Sequence, residues 1–226
     1  MRPTIDRDVH IATSSATLVG SLVLPETATG CVIFAHGSGS SRFSPRNRQV
    51  AQALQEAGLG TLLLDLLTPL EEQAEALTGH MRFDIDLLTR RLIGAANWLQ
   101  EAAPRDLNLG YFGASTGAAA ALLAASRQPQ IHAVVSRGGR PDLAGDALPS
   151  VAAPTLLIVG GADAVVLDLN RQALALLTCE KKLEIVAGAT HLFEEPGALD
   201  QVARLARAWF VRYLSPDAAK GMPAAM

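Results

Sequence analysis

The stretch 107–128 does most to limit what this chain can fold into. An apolar run, 107–112, ends in Gly113-Ala114-Ser115-Thr116-Gly117, and an alanine- and leucine-rich run, 118–125, follows at once. Strand, sharp turn with a serine at its tip, then helix is the pattern of a nucleophile elbow. Such a turn forces the serine into a strained backbone conformation and leaves no room for large neighbours, hence the glycines. The helix that starts there aims backbone N–H groups, and the positive end of its dipole, at any charge forming on Ser115. Gly-x-Ser-x-Gly also arises by chance. The strand before it and the helix after it are the context that gives it meaning.

A chain of 226 residues suits one α/β domain, expected over 1–214, with a mobile tail over 215–226. Hydrophobic residues make up 49% of it, enough for a large core, and with few aromatics that core is aliphatic. The 19 basic and 22 acidic residues nearly balance, with no basic stripe, which argues against nucleic acid as a partner. Cys31 and Cys179 have neither metal-site spacing nor a disulfide pattern, and Cys31 reads as a small buried residue. The amino terminus lacks the apolar stretch of a signal peptide, and no window matches a membrane span. A cytoplasmic protein without membrane contact is the expectation, as monomer or homodimer.

Strand and helix signals alternate along the chain. Runs 9–12 and 18–24 read as an antiparallel hairpin. Continuous apolar runs at 31–35, 60–65, 132–136 and 155–159 read as strands covered on both faces, with a further strand at 182–186. Helices are expected over 47–57, 83–102, 165–177 and 199–213, and the segment 66–79 as a short connection with at most one helical turn. This alternation predicts a mostly parallel twisted sheet with helices on both faces. Reactive groups then belong on loops at the carboxyl ends of the strands. No insertion is long enough for a large cap domain, although 66–79 could act as a small lid.

Ser115 needs a base, and the base needs an acid to orient it. His191 lies in a loop after the last strand, where a late base can reach Ser115. His10, His80 and His132 are poorly placed, and His36 comes too early. Asp142, Asp146, Asp163 and Asp168 all fall between Ser115 and His191. Asp163 is favoured because it comes straight off a buried strand through Gly160-Gly161. Its competing use is as the N-cap of the helix that follows. The oxyanion of an acyl-transfer intermediate needs two donors, expected from the backbone N–H groups of Thr116 and Ser38. His36 and Gly37 would then shape the Ser38 loop. A phosphate-binding turn is the other reading of Gly37-Ser38-Gly39, but both the third glycine of a dinucleotide fingerprint and the Gly-Lys ending of a P-loop are missing. Arg42, Arg46, Arg137 and Arg140 follow two strand ends on one side of the sheet and could bind a carboxylate or phosphate. Solvated or paired arginines are the alternative. Phe43, Leu66 and Phe193, with Leu67, Met81 and Leu192, are candidates to line the cleft by loop position.

Together these motifs make a family resemblance. His-Gly-Ser-Gly after a strand, Gly-Ala-Ser-Thr-Gly at the elbow, Gly-Gly-Ala-Asp after a later strand and Thr-His-Leu-Phe before the last helix resemble the α/β-hydrolase superfamily, in the compact form of its dienelactone hydrolase-like branch. The resemblance covers about residues 9–213 and implies a hydrolase fold, a Ser115–His191–Asp163 triad and no metal or organic cofactor. One departure is chemical. Dienelactone hydrolase itself uses a cysteine nucleophile, whereas this chain has Ser115, which favours cleavage of ordinary small esters. Thioesterase, peptidase or acyltransferase chemistry at the same site, or a binding protein on a hydrolase scaffold, are the other readings.

Overall fold

The computed structural model describes residues 3–103 and 107–215. The expected tail, 215–226, lies outside the described residues apart from Ser215. Two strands, β1 (Pro3–Ala12) and β2 (Thr17–Pro25), form the opening hairpin, longer than the apolar pattern alone suggested. The Thr13 hydroxyl fixes its turn, accepting from the Ala16 N–H at 3.1 Å and donating to the Ala16 carbonyl at 2.7 Å. Burial alternates along β2, so one face meets the core and the other meets solvent.

From there strands and helices alternate. The order is β3 (Gly30–Ala35), α1 (Pro45–Glu56), β4 (Gly60–Leu64), α2 (Pro69–Thr78), α3 (Ile85–Ala102), β5 (Asn108–Ala114), α4 (Thr116–Arg127), β6 (Ile131–Arg137), β7 (Thr155–Gly160), α5 (Ala164–Leu176), β8 (Lys181–Val186) and α6 (Ala198–Leu214). The sheet has eight strands in the order β1-β2-β4-β3-β5-β6-β7-β8. Pairings are parallel from β4 to β8, and β1 and β2 join antiparallel at one edge. Every residue of β3, β4 and β7 is buried, which is why these strands read as unbroken apolar runs.

The pleat sends successive side chains to two cores. Ile33 and Tyr111 face α3 and α4, while Phe34 and Phe112 face α1 and α6 and lie with ring centroids 4.9 Å apart. Gly110 is required on the second side, because a Cβ there would come 2.8 Å from the Phe210 ring of α6.

One segment differs from expectation, and another carried none. The stretch read as a short connection contains α2, a ten-residue helix. Thr68 caps it with a reciprocal capping box to Glu71, and Gly79 ends it in the left-handed region. Its apolar period is weak because Leu70 and Leu77 are exposed, so the cap was the stronger signal. The helix is also tied down. Glu71 takes two bonds from Arg91 of α3, at 2.7 and 3.1 Å, and Glu75 accepts from Arg82 at 2.6 Å and from the Met81 N–H at 2.7 Å. The second segment, 141–150, forms 3-10 turns broken at Gly145. Among the described residues no cap domain interrupts the sheet.

Candidate active site

Ser115 sits between β5 and α4 at φ 51°, ψ −122°, a strained conformation for a residue with a Cβ. Two glycines make the turn possible. A Cβ on Gly113 would lie 2.4 Å from the Ala118 Cα, and one on Gly117 would lie 2.3 Å from the Ala35 carbonyl oxygen. The next strand connection holds the turn. The Ser115 N–H donates to the Arg137 carbonyl at 3.2 Å, and the Ser115 carbonyl accepts from the Arg140 N–H at 3.1 Å.

Asp163 leaves the end of β7 and His191 lies in the turn after β8. Gly160 lets the two turns touch, since a Cβ there would meet the Ala189 carbonyl at 2.3 Å. His191 Nδ1 lies 2.7 Å from Asp163 Oδ2. Asp163 occupies the N-cap position of α5, yet its side chain makes no capping bond. Of the two uses open to this carboxylate, the fold takes the histidine. Asp142 is engaged by Arg140 and Asp168 by Arg171, each in its own short-range pair. Glu195 accepts from both the Thr190 N–H (3.0 Å) and the Thr190 hydroxyl (2.6 Å), fixing the residue before His191. The Thr190 hydroxyl holds the Glu195 carboxyl below the usual carboxylate range.

Elbow and base share a wall, the turn 137–140. A Cβ on Gly138 would lie 3.1 Å from the His191 carbonyl and 3.6 Å from its Cε1. Gly138 donates its N–H to the Ile158 carbonyl at 2.8 Å, and the Gly139 carbonyl accepts from Asn170 Nδ2 at 2.9 Å. Asn170 is fully buried on α5. Sequence reasoning missed both Asn170 and Glu195. Nothing singled out the first, which stands among Asp168, Arg171 and Gln172 in its helix, and the second left no trace either.

The β3 loop reaches Ser115 from the other side, where a Cβ on Gly37 would come 3.0 Å from the serine Cβ. His36 shapes this loop. It is buried, its Nδ1 faces the Gly37 carbonyl at 2.9 Å, and its Nε2 accepts the Leu66 N–H at 3.1 Å. With one nitrogen donating and one accepting, the ring is neutral. Burial, opposed by the Gly37 bond, pushes its pKa below the ordinary imidazole value. Ser38, expected as an oxyanion donor, is already engaged. Its N–H donates to Thr116 Oγ1 at 3.0 Å, so an oxyanion would have to share or displace that hydroxyl.

The candidate cleft residues separate. Phe193 is buried, 1% exposed at φ 57°, and with Arg46 and Glu194 it lines an open pocket between α1 and the loop after β8. Leu66 and Leu67 are also buried, but with Gly37, Ser38 and Thr116 they line a small cavity beside the elbow. Phe43 is half exposed, with the Arg42 and Arg48 guanidinium carbons 4.1 and 5.0 Å from its ring centroid. Met81 is half-buried and Leu192 exposed. Arg42 is not a free anion site, for it pairs with Asp65 and lies 3.6 Å from Asp8. Arg140 is likewise held by both oxygens of Asp142, at 2.9 and 2.7 Å. Arg46 pairs with Glu194 at 3.3 Å. Arg137 alone of the four lacks a carboxylate among the described residues. Those residues also hold no cluster of three or more His, Cys, Asp or Glu suited to a metal, and no helix long and apolar enough to cross a membrane.

A largely parallel sheet with a strained serine at a strand-to-helix turn, and a histidine–aspartate pair on loops after later strands, defines an α/β hydrolase. The family model of the dienelactone hydrolase family matches residues 19–213, and the chain belongs to that family. A dienelactone hydrolase from Anabaena variabilis ATCC 29413 is 56% identical, superposes with a TM-score of 0.93, and covers 95% of this chain and all of its own. A serine hydrolase without a lid from Xanthomonas campestris shares the fold at 21% identity and a TM-score of 0.75, over 94% of this chain and 96% of its own. Two Mycobacterium tuberculosis proteins, provisionally named phosphoribosyl transferases, are 55% identical over 214 residues, which is 94% of this chain and 47% of theirs. The chain thus spans about half the length of those relatives.

Proposed function

We propose that this chain is a serine hydrolase that cleaves small carboxylic esters through an acyl-enzyme on Ser115. The observation that carries this reading is the 2.7 Å hydrogen bond between His191 and Asp163, made at the expense of a helix cap and set across one turn from the strained serine. An ionised carboxylate only accepts, so Asp163 fixes the tautomer with the proton on Nδ1 and leaves Nε2 as the base. His191 takes the Ser115 proton as the hydroxyl oxygen attacks the ester carbonyl, and returns it to the departing alcohol. Water, activated by the same nitrogen, releases the acid. The start of α4 offers the Thr116 N–H to the oxyanion, and the Ser38 N–H becomes the second donor once Thr116 Oγ1 turns away. Each such donor contributes roughly 3 kcal/mol to the transition state. No step needs a metal or organic cofactor.

The test pairs a fluorophosphonate probe with turnover of p-nitrophenyl acetate. The native protein should label at Ser115 and hydrolyse the ester, and Ser115→Ala should do neither. A Ser115→Ala protein with full esterase activity would falsify the proposal, while labelling without turnover would leave a scaffold used for binding. Thioester and anilide substrates assayed beside the acetate separate the neighbouring acyl-transfer chemistries. The transferase name of the M. tuberculosis relatives belongs to proteins about twice as long as the shared segment. We assign the acyl chemistry to that segment.

A further inference from the structure

The buried face of α5 is Val166, Leu167, Asn170 and Ala173, and Asn170 is its one polar side chain. It is fully buried. Its Nδ2 donates to the Gly139 carbonyl at 2.9 Å and to the Val166 carbonyl of the preceding turn at 2.8 Å. Both partners are carbonyl oxygens, so the amide must turn its nitrogen toward them and its orientation is fixed. Oδ1 is then left buried, with no hydrogen-bond partner among the described residues. A buried acceptor without a donor weakens a fold, and a leucine here would continue the apolar face without that cost. Packing does not account for the amide, whereas its hold on the turn 137–140 does.

That turn is shared by both halves of the site. The Arg137 carbonyl accepts the Ser115 N–H, and the Arg140 N–H returns a bond to the Ser115 carbonyl, so the turn fixes the nucleophile's backbone at both ends. At Gly138 it lies against His191. At Gly139 it lies flat on the elbow. A Cβ there would come 2.5 Å from the Ala118 Cβ in the first turn of α4 and would strike the Ser136 hydroxyl. Ser136 gives the turn no support, for its hydroxyl is fully buried and without a partner among the described residues. Asn170 supplies a side-chain bond instead, and it does so from α5, the helix whose N-cap position is Asp163. The contact between Asn170 and Gly139 therefore ties the helix that carries the acid to the turn that holds the nucleophile.

We propose that Asn170 is a positioning residue for the Ser115 site. By anchoring the turn 137–140 to α5 it sets the separation between Ser115 and the His191–Asp163 pair. This rests on the hydrolase reading of that site. Asn170 touches no reacting atom, so its removal acts through geometry. Proton transfer from serine to histidine is sensitive to small displacements, and the loss should fall on kcat rather than on KM.

The experiment compares native protein with Asn170→Leu and Asn170→Asp. The leucine removes the unmet acceptor together with the donors, so its Tm should stay within about 4 °C of native. Its kcat for p-nitrophenyl acetate should nevertheless fall at least about tenfold, with KM within about twofold. The aspartate keeps the shape but sets a carboxylate against two carbonyls, and should lose both stability and kcat. A residue that serves packing alone predicts that activity follows Tm, and a leucine variant with native kcat overturns the proposal. A second readout needs no turnover. A thiol introduced by Ser115→Cys should titrate below the ordinary thiol value of about 8.5 because His191 stands beside it as the imidazolium. Adding Asn170→Leu should raise that value by at least about half a pH unit, read from thiolate absorbance. Cys31 and Cys179 do not interfere, since burial pushes both of their thiols up. An unchanged thiol titration overturns the proposal as well. Should Asn170→Leu fail to fold, Asn170→Ala carries both comparisons. Native protein that neither labels with the fluorophosphonate nor turns over ester would defeat the hydrolase reading, and the thiol titration would still decide for or against Asn170.

Discussion

Asp163 has one carboxylate and two neighbours that could use it. As the N-cap of α5 it could hold a backbone N–H, a role typically worth about 1 kcal/mol to a helix. It faces His191 instead. Stability is thus exchanged for orientation of a ring, the kind of trade expected where function sets the geometry. Asp163→Asn keeps the shape but can present an N–H to Nδ1, which favours the wrong tautomer. On the proposed mechanism kcat for p-nitrophenyl acetate should fall by about a thousand- to ten-thousand-fold with little change in KM. Steady-state kinetics check it, and a loss under tenfold would remove Asp163 from the mechanism. The choice among acids was legible because Asp163 follows a buried strand with two glycines between. The choice between histidine and helix cap was not, since both lie within reach of the same loop. At Arg137 the sequence showed a cation near the right strand end, but pairing of Arg42 with Asp65 and of Arg140 with Asp142 depends on loop paths that no local pattern encodes.

At the scale of elements, the strands and long helices follow from apolar runs and periods, and their ends shift by a few residues except in β1, which begins six residues earlier than its apolar run. The other exception is α2, whose stability comes from its cap and from charge rather than from an apolar face. Arg91 is 2% exposed on its side chain, and its guanidinium holds Glu71 in the first turn of α2. Burial pushes the Glu71 carboxyl up, but the bonds from Arg91 and Thr68 outweigh it and hold the group below its ordinary value. The same segment supplies the Leu66 N–H to His36, so the clamp on α2 also steadies the loop beside Ser115. Replacing Arg91 with Met leaves Glu71 partly buried and unpaired. The expected loss is about 2–3 kcal/mol, below the full value for a wholly buried pair because Glu71 keeps some solvent. Changing Glu71 to Leu as well should restore part of it, since two apolar groups leave no unpaired charge. Denaturant unfolding measures both variants, and hydrogen exchange should quicken over 66–78 in the single variant. A single variant as stable as the native protein would show that the pair contributes nothing net.

For the whole molecule, the same burial that builds the two cores sets the pH range of stability. His36 and His132 are both pushed below the ordinary imidazole value, in each case mainly by burial. A depressed folded pKa means that the unfolded chain binds more protons in the window between the two values. Stability is then complete above about pH 6.5, the unfolded value, and declines as pH falls toward the folded one. The carboxylates of Glu71 and Glu75, held low by their arginine and backbone partners against the opposing effect of burial, act in the same sense further down. Their contribution is complete above an ordinary carboxylate pKa of about 4.5 and is lost below it. At the alkaline end Tyr111, buried in the sheet, is raised, so its neutral form is favoured by folding and stability falls as pH rises past about 10. The midpoint of urea unfolding should therefore be flat near neutrality and drop between pH 6.5 and 5, with one fully displaced proton giving a slope of at most about 1.4 kcal/mol per pH unit. His36→Gln separates the contributions. Glutamine can still accept the Leu66 N–H but does not titrate, so the variant should be less stable at pH 7.5 and should lose part of the slope between pH 6.5 and 5, keeping the share of His132. Parallel pH profiles for the two proteins would mean that His36 takes up its proton in the fold as readily as in the unfolded chain, against an Nε2 that accepts the Leu66 N–H, and would remove His36 from the acid slope.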